Sequence, residues 1–338
     1  MNKKKRNLIW IFLTSVLLFL SVLSFLILGS FNKTCSDGTP SNSCSKILPY
    51  FCVEGNLIER ASVCGCFNIS FLDGDRCKAP YSTGEKNISL NYTLRGDKGV
   101  IIFSVYKGLY DYLTNLPRYS ISEENYTLLD FRKKMIDNEY QRELLLPLIL
   151  EIQEITSNKE DQARIILSLV QNIPFGKSNK SVSFGSLSFD YLRFPYEVLY
   201  ELQGVCGEKS SLAIFLLREI GYGCSFIYYS RENHEAVGIK CESQYSINNS
   251  GYCFVETTFP SIILDNKSSY VGLPTLNSDP KILVVAEGVG LDKYEQEYLD
   301  AKILNGIRES AKKKGVINPI QYLQYKILKS RYGFDFFG

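Results

Sequence analysis

Histidine is almost absent. His234 is the only one in 338 residues. A His₂ or His₃ metal site within the chain is therefore excluded, and chemistry that needs an imidazole has one address. An excess of one charge is also lacking: 38 Lys and Arg face 36 Asp and Glu, a net +2. Lys3, Lys4, Lys5 and Arg6 supply four of those positive charges, so the rest of the chain is slightly acidic. Such a balance offers no basic field, and no nucleic-acid partner is expected. No C-x-x-C pair occurs, which argues against a thioredoxin-type redox protein. Nothing points to a metal or organic cofactor. What is present is ordinary for a globular protein: 45% hydrophobic and 22% charged residues, in a length that suits one large domain or two moderate ones.

The first feature present is a membrane signal. No charge lies between Arg6 and Lys33, and residues 8–29 are almost wholly apolar. About 20 helical residues cross a bilayer. The basic run precedes the span, which predicts a cytoplasmic N-terminus and an extracytoplasmic remainder. A cleaved signal peptide is the rival, but the stretch is long for one and no A-x-A-like site follows. Ten cysteines agree with an oxidising compartment. So do sequons at Asn32, Asn68, Asn87, Asn91, Asn125, Asn179, Asn248 and Asn266, all after the span.

Residues 31–80 read as a cysteine-rich module. Cys35, Cys44, Cys52, Cys64, Cys66 and Cys77 sit in a short, turn-rich segment that lacks long apolar runs. Such a segment needs staples, and three disulfides are expected. Zinc is the alternative, but the C-x-C spacing matches no common zinc knuckle. Cys64 and Cys66 are too close to pair with each other, so each should bridge outward. The pairings stay open.

From about Ser82 the composition changes. Residues 99–116 predict a strand running into a helix, 128–156 one long helix, and 159–172 another, ended by Pro174. Residues 176–190 are Ser- and Gly-rich and read as a surface loop. Helices at 195–203 and 206–220 then precede strands at 224–230, 234–241 and 252–258. The tail from about 291 is helical, with a further helix after Asn318-Pro319. Helices followed by consecutive strands predict an α+β domain with an antiparallel sheet. The expected division is a cytoplasmic stub and anchor at 1–30, the module at 31–80, the main domain at 81–280 and a helical extension at 281–338.

One constellation carries chemistry. Cys206, in Gly204-Val-Cys-Gly207, opens a helix whose expected apolar face is Leu212, Phe215, Leu216 and Ile220. A helix N-terminus has free N–H groups and partial positive charge, which favour a thiolate and can receive an oxyanion. A thiol nucleophile needs a base, and His234 is the one imidazole. It begins a strand on which Ala236 and Gly238 share its face. The next strand ends in Val255-Glu256-Thr257-Thr258, and Glu256 is the candidate acid for fixing the imidazole. Glu235 is a second candidate, but it points to the opposite face of the strand. Cys241 and Cys253 flank the turn between the two strands, so pairing would tie the His strand to the acid strand. Cys224 remains as a buried thiol. A Cys206–Cys224 bridge would abolish the nucleophile.

These residues resemble the transglutaminase-like superfamily. The resemblance rests on Arg193-Phe-Pro-Tyr-Glu197, Gly204-Val-Cys206, Leu216-Leu-Arg-Glu-Ile-Gly221, His234 and Val255-Glu256-Thr-Thr, and covers roughly residues 130–260. It is similar in character to membrane-anchored archaeal members. It implies a papain-like core, with a nucleophile helix packed on an antiparallel sheet. It implies Cys206 as nucleophile, His234 as base and Glu256 in the acid position. Many members have Asp there, and Glu256 is one methylene longer. The oxyanion donors would be the Cys206 N–H and the Gln203 amide. Some members are calcium-regulated, but no loop of clustered Asp is present here.

Two functions follow from different classes. The first is a membrane-anchored thiol enzyme acting on a protein or peptide substrate, with hydrolysis of peptide or side-chain amides preferred over transglutaminase-type transfer. The second is an inactive copy of the fold serving as an adhesion or scaffold module. An intact Cys206, His234 and Glu256 favour the first.

Overall fold

The structure is a computed structural model that describes residues 14–18, 34–67, 69–118, 127–184, 187–266 and 275–334. Apart from residues 14–18, the expected span at 8–29 lies outside the described residues, as do Asn32, Asn68 and Asn125. No helix among the described residues is long and apolar enough to cross a membrane. The five described sequon asparagines (Asn87, Asn91, Asn179, Asn248 and Asn266) are all exposed. The chain divides into two compact units, residues 1–78 and residues 79–338.

The small unit is built from short hairpins and staples. Strands β1 (Tyr50–Val53) and β2 (Asn56–Glu59) pair antiparallel across Glu54-Gly55. Both turn residues have positive φ, the geometry of a tight hairpin turn. Helix α1 (Ala61–Cys64) follows, then the hairpin of β3 (Phe71–Asp73) and β4 (Arg76–Lys78). Few apolar side chains are buried here beyond Cys35, Cys52 and Ala61. Three disulfides make up the deficit: Cys35–Cys52, Cys44–Cys64 and Cys66–Cys77. Cys64 and Cys66 do bridge outward.

The large unit is mixed α+β. It opens with a hairpin, β5 (Glu85–Leu94) and β6 (Asp97–Tyr106), turned by Arg95-Gly96 with positive φ at both. Helix α2 (Lys107–Asn115) continues from β6. The long helix expected over 128–156 is two helices, α3 (Leu128–Ile136) and α4 (Glu139–Ile155). The break has a local cause. Asn138 leaves helical geometry and its side chain accepts from the Gln141 N–H, which caps a new helix. Leu145, Leu148, Ile149 and Ile152 are buried as the spacing predicts, whereas Ile155 at the end is exposed. Helix α5 (Lys159–Asn172) is capped by Asn158, which accepts from Glu160 and Asp161.

The segment expected as a loop at 176–190 contains a hairpin, β7 (Ser181–Phe184) with β8 (Leu187–Asp190). Its alternating small and apolar residues fit a strand better than its Ser and Gly content suggests. Helices α6 (Pro195–Glu201) and α7 (Cys206–Glu219) follow. Leu202, in left-handed geometry, ends α6 and turns the chain toward α7. Strands β9 (Cys224–Tyr229), β10 (His234–Lys240), β11 (Tyr252–Val255) and β12 (Lys281–Ala286) form one antiparallel sheet in the order β11-β10-β9-β12. β12 starts just past residue 280, so the segment beyond that point completes the sheet before becoming helical. Helices α8 (Glu295–Lys314) and α9 (Pro319–Tyr332) close the unit, sharing a core of Leu304, Ile307, Tyr325 and Leu328.

Helix α7 is the centre of this unit. It packs on β9, β10, α5 and α6. Its expected apolar face is buried, but so are Ala213, Ile214 and Leu217. A helix apolar all round is an interior helix. Each large aliphatic side chain buried there contributes about 1.5–3 kcal/mol. The nucleophile candidate at its first residue is thereby mounted on the most firmly held element.

Candidate active site

Cys206 is half-buried at the first position of α7 and is a free thiol. At that position its backbone N–H has no partner within the helix. His234 starts β10 and Glu256 follows directly after the last residue of β11, not within the strand. The register brings them together. Val237 pairs with Val255, so Glu256 lies opposite Ala236, on the same face as His234 two residues earlier. His234 Nε2 and Glu256 Oε2 are 2.8 Å apart, both buried. The other ring nitrogen is left free of the carboxylate, and Cys206 is near enough to the imidazole to raise its pKa. The ring thus sits between sulfur and carboxylate.

The electrostatics favour an imidazolium. Burial alone pulls the His234 pKa down. Cys206 and Glu256 beside the ring outweigh it and raise the value to about 10. Burial opposes ionisation of Glu256 as well, yet His234 and the Thr258 donors hold its carboxyl below the usual value. Its Oε1 accepts from the N–H groups of Thr257 and Thr258, both at 2.9 Å, and from the Thr258 hydroxyl. A carboxylate with this many donors stays ionised and points one way.

The extra methylene of Glu256 is accommodated by this turn, and the turn is itself clamped. Lys209 on α7 is fully buried and donates from Nζ to the carbonyls of Gln171, at 3.3 Å, Ile173, and Thr258, at 2.7 Å. Desolvation lowers the Lys209 pKa to about 7, and the Glu256 charge acts the other way. The Gln171 side chain donates to the Glu256 carbonyl at 2.7 Å and to Ser261. Ser210 hydroxyl meets the Thr257 hydroxyl at 3.0 Å. The helix that carries Cys206 therefore also grips the turn that carries the acid.

The N-terminus of α7 is held from the other side by Arg193 and Glu208. The Glu208 carboxylate accepts from the Val205 N–H at 2.9 Å and from the Arg193 N–H at 2.8 Å, and pairs with the Arg193 guanidinium at 3.0 Å. Gln203 turns away. Its amide lies against Gly176 and its oxygen is 3.5 Å from Arg193. It is not among the residues lining the cavity at Cys206.

That cavity has a volume of about 220 Å³. Phe175, Tyr191, Leu192, Val205 and Gly207 line it with Arg132, Glu235, Lys177, Asp190 and Glu208. A larger cavity of about 500 Å³, bordered by Arg95, Arg164, Lys293 and Arg331, touches none of Cys206, His234 and Glu256.

Cys241 and Cys253 form a disulfide that joins the end of β10 to β11. Cys224 is a free, buried thiol whose Sγ faces the Ile214 carbonyl, and burial pushes its pKa up to about 12. Cys206 and Cys224 are not bridged. Glu235 faces away from the His234–Glu256 pair and instead binds Arg132 at 2.6 Å. No protein-family model, curated protein or solved structure matches the chain.

Proposed function

We propose that this chain is a thiol enzyme of the transglutaminase-like superfamily, with a papain-like core. It acts on peptide or side-chain amides through an acyl-enzyme on Cys206. Residues 8–29 anchor it to a membrane, with the catalytic domain outside, where the four disulfides and exposed sequon asparagines belong.

The observation that carries the reading is the alignment of Cys206, His234 and Glu256, with the sulfur opening onto a cavity. In the first half-reaction the Cys206 sulfur attacks the amide carbonyl carbon, and the carbonyl oxygen becomes an oxyanion facing the N-terminus of α7. The His234 imidazolium then gives its proton to the departing amine as the C–N bond breaks, leaving a thioester. In the second half, neutral His234 takes a proton from water, the hydroxide adds to the thioester, and the carboxylic acid leaves with the sulfur restored. Glu256 keeps the ring aligned and its positive charge compensated. Hydrolysis is the preferred outcome. Lys177 and Asp190 at the cavity rim are largely exposed, so water reaches the thioester.

Acyl-enzyme trapping tests this. The ectodomain is incubated with an N-acyl amino acid nitrophenyl ester, quenched in acid and digested. The expected result is one acyl group on the Cys206 peptide, and its loss in His234→Ala. An acyl group found elsewhere, or an undiminished yield in the His234 variant, would contradict the proposal.

A further inference from the structure

The cavity at Cys206 has a floor whose chemistry the three aligned residues do not use. Arg132, from α3, reaches Glu235, on β10, and their Nη2 and Oε1 atoms are 2.6 Å apart. Both residues are more than nine-tenths buried, at 8% and 6% exposure. Their remaining polar atoms, Arg132 Nε and Glu235 Oε2, have no hydrogen-bond partner among the described residues and are sealed from solvent, so each charge depends on the other for its compensation. Removing either partner of a buried ion pair leaves the other charge uncompensated, which is costly.

The sequence makes room for this pair. A Cβ on Gly207 would lie 2.5 Å from Arg132 Nη2 and 2.6 Å from Glu235 Oε2. The glycine beside the nucleophile therefore lets the pair close against the helix, one residue from the reacting sulfur. The other charges lining the cavity are also compensated. Glu208 is bound to Arg193, and Lys177 stands 3.8 Å from Asp190. A cavity in which every charge is already matched penalises an added charge of either sign, because the newcomer competes for a partner that is taken.

We propose that the Arg132–Glu235 pair is the specificity floor of the site. It admits an uncharged group next to the reacting carbonyl and rejects acidic and basic groups. This rests on Cys206 being the nucleophile. Neither residue touches the bond being broken, so both are specificity-determining residues.

The test uses three peptidyl chloromethyl ketones that differ only at the residue carrying the ketone: Asn, Asp or Lys. Cys206 displaces chloride and forms a thioether, which mass spectrometry counts. In the unaltered protein the Asn probe should label Cys206 faster than either charged probe by about tenfold. Glu235→Gln leaves Arg132 uncompensated, so the Asp-to-Lys rate ratio should rise by about tenfold. Arg132→Gln should move the same ratio the other way. The ratio is taken within one protein, so a general loss of stability cancels from it. Equal ratios in all three proteins, with labelling intact, would overturn the specificity floor and leave the thiol-enzyme reading standing. No labelling by any probe would overturn both.

Discussion

The two units solve the problem of holding a fold in opposite ways. Residues 34–78 bury few apolar side chains and use three disulfides. Residues 79–334 are built around an interior helix, α7, with one disulfide. In the small unit every cysteine is consumed as a staple. In the large one two cysteines stay free, and the fold treats them differently: Cys224 is sealed beneath α7 with its pKa pushed up to about 12, while Cys206 opens onto a cavity beside an imidazolium. Where apolar packing supplies stability, thiols are released for other work.

The strongest way to break this comparison is reduction. Each bridge in a small domain contributes about 2–4 kcal/mol. Under a strong reductant, hydrogen exchange on the full chain should show residues 34–78 losing all protection while α5, α7 and the four-stranded sheet keep theirs. Survival of the small unit after reduction would mean that its core has been underestimated. Next in size is Lys209→Met. It leaves three buried carbonyls without their donor, at about 1–3 kcal/mol for each unmade bond. Thermal melting of the large unit should fall, and the reactivity of Cys206 should fall with it, since the Glu256 turn loses its clamp. A variant that melts lower yet reacts normally would confine Lys209 to the core. A smaller effect is expected from Cys241→Ser with Cys253→Ser, about 2 kcal/mol or somewhat more for a loop of this length. It should leave the small unit untouched.

The smallest effect is that of pH on stability. His234 has a raised pKa, so its contribution is fully present below 6.5 and fades as pH rises through about 10. Glu256 has a lowered pKa, so its contribution is present above 4.5 and fades as pH falls below that. Lys209, lowered to about 7, acts in the opposite sense to His234 between pH 7 and 10. The two partly cancel in global melting, and His234→Gln should therefore steepen the gain in stability over that interval.

Much of this was legible in the sequence, and the rest failed for a common reason. The six-cysteine module, the Cys241–Cys253 bridge, the buried Cys224 and the meeting of His234 with Glu256 follow from spacing and strand alternation, which are local or nearly so. The supports were not legible. Arg132 binds Glu235 across 103 residues, Gln171 reaches Glu256 across 85, and Lys209 reaches Gln171 across 38. A polar residue looks solvated until its distant partner is known, so Lys209 on α7 carried no signal of burial. One cue was in view: Gly207, directly after Cys206, marks a close approach by another element. Asn138 and the β7–β8 hairpin were missed because a cap and an alternation are weak signals inside longer patterns.

The central claim is that Cys206 is a nucleophile held by His234. It is tested most directly by site-resolved iodoacetamide labelling of the folded chain at neutral pH, read by mass spectrometry at Cys206 and Cys224 separately. The account predicts that Cys206 alkylates while Cys224 stays protected. His234→Ala should slow Cys206 by about tenfold or more while Cys224 stays protected. A Cys206 rate unchanged by His234→Ala, or a Cys206 found in a disulfide, would contradict it.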